Sequence, residues 1–437
     1  MRPDAESRSL RIAETVGHAL LVPSSFAIVL FILLFSGPPK FRYRDPLASL
    51  YGEVDFAIVA NVAVWIIAGF WVAYQIWLIH LGQRPRLKFW FGHKVALTVI
   101  FLLAASTFVS LSAPVTAFKV YQVLVEFLFT VIFIEWYGIE RCLDLMLTTC
   151  ILLSCAIAVA AAIVPDLVLE ASESGFPRLR GQGIADTGIV ATFAIILLFC
   201  RRRAIAKPFF LILTAFCGGL LFFSLERNAW LTVCAFFTIA LLKKPKIATM
   251  RWIYLFWIVA AVALALGLGS WIIELRDTES LYTLSARTGL WAYFIGETLS
   301  TSPWLGLGYV AGARDLGMNY EYQLGSGHSI FFDVFVGGGL LSLTVFLLLF
   351  VQLCFAAYKL LHHRDDPLSF AVCSLFLAVL IPGLVGADID TSPSGFTFWS
   401  LVTIVPLITT ASCGLLTSMQ PRTLVGHRLP TSAHNTI

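Results

Sequence analysis

Charged side chains are scarce in this chain, and that shortage decides its class. Asp, Glu, Lys and Arg make up 13% of the 437 residues, whereas 59% are hydrophobic, and the mean hydropathy is +0.86. Soluble domains carry about 25% charged residues, so a water-soluble surface is excluded. The apolar runs are long enough to cross roughly 30 Å of hydrocarbon as helices and lack the alternation of a membrane barrel. We therefore predict an all-α polytopic membrane protein.

Several motifs of soluble enzyme chemistry are also missing. The sequence has no P-loop, no Rossmann fingerprint, no nucleophile elbow and no metal-ligand constellation. Its nine cysteines form no CxxC pair and fall almost entirely within apolar runs, which is typical of small buried hydrophobes rather than of disulfides or metal ligands. We predict no metal, no cofactor and no nucleic-acid partner, and we expect a lipid-linked substrate instead of ATP to supply the energy.

The apolar runs predict twelve transmembrane helices in a single integral membrane domain, residues 1–437. Ser224-Leu-Glu-Arg227 separates the seventh run from the eighth, and the two together are too long for one crossing. The predicted spans are 17–36, 55–80, 95–112, 120–137, 145–164, 184–200, 208–223, 228–242, 253–273, 330–351, 368–385 and 396–413.

The basic residues predict the orientation. With both termini in the cytoplasm, about two thirds of the 30 Lys and Arg residues fall on the cytoplasmic side. The opposite orientation would translocate the clusters 201–203 and 243–246, which lie in short loops. We predict N-in, C-in topology, although Lys40, Arg42 and Arg44 in the first external loop oppose the rule.

A long polar interval, residues 274–327, separates the ninth and tenth spans on the predicted external side. Ser285 is a candidate N-cap, and an apolar face of Leu290, Phe294 and Leu299 predicts an interfacial helix over residues 286–299. Ser302-Pro303 is expected to end that helix. Later glycines allow tight turns near a ligand; these are Gly306, Gly308, Gly325 and Gly327.

Four arginines and one histidine on this side are candidates for binding and chemistry. Arg178 and Arg180 are spaced so that an extended strand puts both guanidinium groups on one side. Arg287 lies in the first turn of the predicted helix, where free N–H groups and a cation favour phosphate. His328 has a side chain suited to proton transfer. The structural alternatives are a snorkelling Arg227, solvated loop arginines and a structural histidine.

Two acidic residues interrupt predicted spans. Asp333 lies within the tenth span and Glu126 within the fourth. Carboxyl groups inside a membrane are typical of functional sites, but Glu126 is equally suited to a buried structural pairing. The five-residue spacing between His328 and Asp333 does not put them on one helix face, so the two are not assigned as a His–Asp dyad.

Four motifs in order resemble the O-antigen ligase-related superfamily, which includes O-antigen ligases, polysaccharide polymerases and bacterial protein O-oligosaccharyltransferases. The motifs are Ser-Leu-Glu-Arg227-Asn-Ala-Trp230, Ser285-Ala-Arg287-Thr-Gly-Leu-Trp291, Ser302-Pro-Trp-Leu-Gly-Leu-Gly308-Tyr309, and Gly-His328-Ser followed by Gly337-Gly-Gly339-Leu-Leu. The resemblance covers about residues 178–341. One departure is Glu226, which stands where the family has a small residue.

The resemblance implies a GT-C-like glycosyltransferase of the bacterial inner membrane, which moves a glycan from undecaprenyl diphosphate to an acceptor hydroxyl on the periplasmic face. Arg227 and Arg287 would bind the diphosphate, with Arg178 and Arg180 in the family's basic loop, and His328 would activate the acceptor. Because arginines can neutralise a diphosphate without a divalent ion, and no carboxylate pair is placed for a covalent intermediate, we expect a metal-independent, inverting single displacement.

Three alternatives to the leading prediction stay open. An O-antigen ligase acting on lipid A–core is the leading prediction, and a polymerase extending a glycan on a second lipid carrier differs from it only in the acceptor. A lipid-linked glycan flippase or transporter belongs to another class and would place polar residues along a central cavity. A structural membrane subunit would leave the arginines and the histidine without a role.

Overall fold

The computed structural model describes residues 23–37, 56–170, 178–181, 184–202, 204–243, 287–320, 329–363, 367–385 and 393–412. Its first helices are α1 Ser25–Ser36, α2 Phe56–His80, α3 Phe91–Ala105, α4 Ala113–Tyr137, α5 Ile139–Ile163, α6 Thr187–Arg201, α7 Lys207–Ser224 and α8 Arg227–Lys243. Those that follow are α9 Arg287–Thr301, α10 Ala311–Tyr320, α11 Ile330–His363, α12 Pro367–Val385 and α13 Pro393–Ser412. Two short 3₁₀ helices cover Ser106–Val109 and Pro165–Leu167, and a two-stranded sheet joins β1 Leu169–Glu170 to β2 Arg178–Leu179.

The prediction of an all-α membrane protein is confirmed at the level of its helices. Among the described residues, six helices are long and apolar enough to cross a membrane, and five shorter apolar helices accompany them. The predicted ninth span, 253–273, lies outside the described residues, whereas each of the other predicted spans overlaps one of these helices. Twelve crossings and a GT-C-like arrangement stay predictions.

The separation of α7 from α8 is confirmed at Ser224-Leu-Glu-Arg227. Leu225 takes a left-handed conformation with φ 52°, which a residue with a Cβ adopts only at a cost. Its N–H donates to the Phe222 carbonyl at 3.3 Å, closing the last turn of α7. The chain therefore reverses between two helices instead of continuing as one.

Side-chain contacts show which helix ends lie together. The Arg201 guanidinium, at the end of α6, binds the Asp144 carboxylate near the start of α5 at 2.7 Å. At the opposite end of α6, the Thr192 hydroxyl approaches the Ala229 carbonyl in the first turn of α8 at 3.5 Å. The starts of α6 and α8, the end of α7 and the small sheet thus share one end of the bundle, which we call the hairpin end.

Helices α11 and α12 extend the same arrangement. Phe236 in the second half of α8 and Phe370 near the start of α12 have ring centroids 5.7 Å apart, so α12 begins away from the hairpin end. Ile330, the first residue of α11, packs against Gly383 near the end of α12. The start of α11 therefore also lies at the hairpin end. Buried aromatic rings fill the core between these helices and α1, α4 and α13, with Phe31 and Phe133 4.9 Å apart and Phe31 and Phe396 also 4.9 Å apart.

Candidate functional site

The small sheet positions the predicted Arg178–Arg180 pair. Glu170 pairs with Arg178 in the antiparallel register, and the N–H groups of Arg180 and Gly181 both donate to the Val168 carbonyl, at 2.9 and 3.0 Å. Gly181 has φ +67°, and a Cβ there would collide with the Ala185 carbonyl and the Thr187 hydroxyl. A glycine is therefore required for the turn that leads from Arg180 into α6.

Arg178 reaches the junction between α7 and α8. Its Nε donates to the Ser224 carbonyl at 2.8 Å, and its Nη2 lies 3.9 Å from Oε1 of Glu226. Both side chains are largely buried, with 21% of Arg178 and 14% of Glu226 exposed. The structure thus brings together the predicted basic loop and the Ser224–Arg227 motif, which are 46 residues apart at this hydrogen bond.

Glu226 caps α8 and points its carboxyl group at α6. Its carbonyl accepts from the Trp230 N–H at 3.1 Å, and its own N–H donates to the Ser224 hydroxyl at 3.3 Å. A Cβ on Gly188, in the first turn of α6, would overlap the Glu226 carboxyl group. The residue that departs from the family pattern is therefore packed into the site and not turned away from it.

Burial, together with the nearby Asp186, raises the pKa of Glu226 to about 9, although Arg178 and Arg180 act in the opposite direction. Asp186 is the N-cap of α6, and its Oδ1 accepts from the Ile189 N–H at 3.0 Å. Two carboxyl groups and two guanidinium groups thus share a small volume at the hairpin end.

Arg227 is the first residue of α8, so its backbone stands beside Glu226 at the same junction. The predicted base, His328, and the predicted N-cap, Ser285, lie outside the described residues. Arg287 is the first residue of α9.

The helix predicted over residues 286–299 is confirmed as α9, which ends at Thr301, just before Ser302-Pro303. Its position at the membrane interface stays a prediction. Its predicted apolar face is corrected at one position. Leu290 and Phe294 are buried as expected, but Leu299 is 45% exposed, and Thr298 is buried instead. The buried positions follow an i, i+4, i+8 spacing, which keeps them on one side of the helix.

Helix α9 packs on the start of α11. The Trp291 and Phe332 rings stack with centroids 4.7 Å apart and planes 13° apart. Arg287 is one helical turn before Trp291, about 6 Å along the axis, and α11 begins at Ile330. Arg287 is thus carried on a helix that packs against the first turn of α11, at the hairpin end.

The loop after α9 inserts its backbone into a break in α11. Gly339 interrupts the helix with φ 67° and ψ −166°. The Leu307 N–H donates to the Val336 carbonyl at 2.7 Å and the Gly308 N–H to the Gly337 carbonyl at 3.2 Å. In return, the Leu340 N–H donates to the Pro303 carbonyl at 2.8 Å.

A fourth bond runs from the Leu341 N–H to the Trp304 carbonyl at 3.4 Å. The loop thereby satisfies backbone groups that the broken helix cannot pair internally, a requirement inside a membrane protein. Two of the motifs on which the family resemblance depends, residues 302–309 and 337–341, therefore form one structural unit.

Glycine is required on both sides of this contact. A Cβ on Gly306 would lie 2.5 Å from the Val336 carbonyl oxygen and 2.6 Å from the Gly339 nitrogen, and one on Gly339 would collide with the Trp304 carbonyl. The loop is also held from the α4 side, because the Leu111 N–H donates to the Leu307 carbonyl at 3.2 Å.

The two intramembrane carboxyl groups are buried. Glu126 lies in the middle of α4 with 0% exposed and Asp333 in the first turn of α11 with 6% exposed. The Asp333 N–H donates to the Ser329 carbonyl at 2.9 Å, so the helical backbone begins at the residue that follows His328. Within the described ranges, no group of three or more His, Cys, Asp or Glu residues is placed to hold a metal ion.

Sequence reasoning missed the carboxyl pair and the loop–helix contact. Asp186 gave the signal of an N-cap, an acidic residue just before an apolar run, but nothing in the sequence pairs it with Glu226. The run of three glycines in α11 indicated that another backbone segment comes close to the helix, but the sequence did not show which segment it is.

No protein-family model matches the chain, and no curated protein or solved structure gives a significant match to it.

Proposed function

We propose that this chain is a membrane glycosyltransferase that moves a glycan from undecaprenyl diphosphate to an acceptor hydroxyl group, as an O-antigen ligase does with lipid A–core. The observation that carries the proposal is the meeting of Arg178 with the Ser224–Arg227 junction. Helix α9, which begins at Arg287, packs at the same end of the bundle. Arginines from three separate segments thus lie at one end of a membrane protein, as diphosphate binding requires.

The chemistry proposed for this end is a single displacement. The acceptor oxygen attacks the anomeric carbon, the bond to the diphosphate breaks, and His328 takes the hydroxyl proton. Arg178, Arg180, Arg227 and Arg287 stabilise the negative charge that grows on the leaving diphosphate. A general base of this kind contributes about 10²–10⁴-fold to the rate.

The side of the membrane is part of the proposal. At the end opposite the hairpin, Arg201 binds Asp144, and the Arg84 guanidinium lies 5.3 Å from the Trp136 ring centroid. The positive-inside rule assigns that basic end to the cytoplasm, so the hairpin end faces the periplasm, where undecaprenyl-linked glycans are used.

A lipid-linked glycan flippase or transporter is the second candidate. The buried Glu126 in α4 favours it, because carboxyl groups within a bundle often mark a transport path. A polymerase of the same superfamily would share the proposed diphosphate site with the ligase and differ only in its acceptor.

Purified protein in proteoliposomes, supplied with undecaprenyl-diphosphate glycan and candidate acceptors but no nucleotide or metal, tests the proposal. Product on lipid A–core supports a ligase, and a ladder on the lipid carrier supports a polymerase. Movement of the lipid across the bilayer without a new glycosidic bond supports the flippase and contradicts the transferase. A folded His328→Ala variant with full transfer activity would show that this histidine is not the base.

A further inference from the structure

A pair of tyrosines stands beside the helix that begins at Arg287, and the proposed chemistry uses neither ring. Tyr293 in α9 and Tyr320 at the end of α10 stack with ring centroids 5.4 Å apart and planes 30° apart. The Tyr320 hydroxyl lies over Gly289 in the first turn of α9, where a Cβ would collide with it. Since Tyr320 is 41% exposed, the pair presents aromatic surface to solvent close to the start of α9.

The contact between α9 and α10 does not depend on these two rings. Leu290 and Phe294 of α9 lie in a buried apolar cluster with Leu316 of α10, whereas Tyr293 packs only partly buried against that cluster. Each buried Leu or Phe contributes about 1.5–3 kcal/mol, which exceeds the roughly 0.5–1.5 kcal/mol of a ring pair. The apolar cluster therefore holds the two helices together, and a ligand can use the surface of the tyrosines.

Polar groups that bind hydroxyls flank the aromatic pair. Asp315 and Asn319 are one turn apart on α10, and the Asn319 amide donates to Oδ2 of Asp315 at 3.5 Å. Glu297 follows Tyr293 by one turn on the same side of α9. Burial and the nearby carboxylates Glu297 and Asp315 raise the pKa of Tyr293, so its phenol keeps a proton at neutral pH and can donate a hydrogen bond.

This combination of groups fits a sugar. A pyranose ring has an apolar C–H face that packs on aromatic rings, and its hydroxyl groups bond to carboxylates, amides and phenols. Because carboxylates repel an anionic sugar, the surroundings of the aromatic pair favour an uncharged one.

We propose that Tyr293 and Tyr320 form the floor of a subsite for an uncharged sugar of the donor, next to its diphosphate. Asp315 and Asn319 bind the hydroxyl groups of that sugar. This inference rests on the proposed function and adds a sugar class to it. The donor is the source of the sugar because the Tyr320 hydroxyl lies over the first turn of α9, which begins at the proposed diphosphate ligand Arg287.

Two probes separate the sugar from the diphosphate. They are geranylgeranyl diphosphate and the same lipid with one N-acetylglucosamine on its terminal phosphate, and their affinities are measured with the full chain in detergent. Tyr320→Ala is expected to bind the sugar-bearing probe about fivefold more weakly than wild type. Asn319→Ala, which alters an exposed side chain, is expected to lose about fivefold through its missing hydrogen bonds. Both variants should bind the bare diphosphate as wild type does.

Tyr358→Ala is the matched control. Tyr358 also stacks on a ring, with its centroid 5.3 Å from that of His362, and is 59% exposed, but it lies in the last turns of α11. This variant should bind both probes with wild-type affinity.

The two probes also distinguish a sugar subsite from a structural role. Wild-type affinity of Tyr320→Ala for the sugar-bearing probe, or equal losses for both probes, would overturn the inference while leaving the proposed function intact. Absence of binding of either probe to the wild type would overturn the proposed function and this inference with it.

Discussion

Substituting Gly339 tests whether the docked loop holds the hairpin end together. In Gly339→Ala, the new Cβ collides with the Trp304 carbonyl and lies 2.7 Å from the Gly306 nitrogen. The residue must also keep φ 67° and ψ −166°, a backbone region almost confined to glycine, which costs a residue with a Cβ about 1–3 kcal/mol. Both effects push the loop out of the break in α11.

The magnitude follows from the bonds that the loop makes. The four backbone hydrogen bonds between residues 303–308 and α11 contribute about 1 kcal/mol each. If the loop leaves the break, Gly339→Ala lowers the free energy of unfolding by about 5 kcal/mol, and if the loop stays, by about 1–3 kcal/mol. Since residues 302–309 connect α9 to α10, departure of the loop also removes Arg287 from its support.

Thermal unfolding in detergent measures the loss, and Gly296→Ala is the matched control. Gly296 lies within α9 and would place its Cβ in open space, so its substitution is expected to be neutral or to stabilise by about 1 kcal/mol. Unfolding of Gly339→Ala at the same temperature as Gly296→Ala would refute the docking argument.

Three further changes have defined outcomes. Asp144→Asn weakens the two 2.7 Å contacts with Arg201 and is expected to lower stability by about 1 kcal/mol, because both groups are partly exposed; an unfolding temperature equal to wild type would contradict this. Leu225→Gly relieves the left-handed conformation at φ 52° and should stabilise by about 1 kcal/mol in the same assay. Glu226→Gln should stabilise increasingly as pH rises from 4.5 towards 9, since the folded wild type holds a proton there that the unfolded chain releases. At neutral pH, the free energy of unfolding of Glu226→Gln is expected to exceed that of wild type by about 3 kcal/mol. A difference that does not change with pH, measured by denaturant unfolding, would contradict this prediction.

The helices were predictable because their signal is local. Long apolar runs require helical backbone in a membrane, and a short polar break such as Ser224–Arg227 is visible in the sequence itself. The same holds for α9, whose end is set by Pro303. Its exposed Leu299 was not predictable, because which side of an amphipathic helix is covered depends on where α10 and α11 lie.

The contacts that build the site are not local. Arg178 meets Ser224 and Glu226 because the small sheet folds back over the ends of α6, α7 and α8, and no periodicity encodes that approach. Likewise, Gly306 and Gly339 each indicate a tight place in the chain, yet only the structure shows that it is the same place. Motifs that are each weak evidence for a site thus become stronger evidence once the structure places them side by side.

The central claim is that arginines from different segments bind one diphosphate. The most direct test is a double-mutant cycle with Arg178→Gln and Arg287→Gln, measured by geranylgeranyl diphosphate binding to the folded protein. The account predicts one bound probe per chain, weaker binding for each variant, and losses that deviate from additivity by at least about 0.5 kcal/mol. Two independent sites, with losses that add, would contradict it.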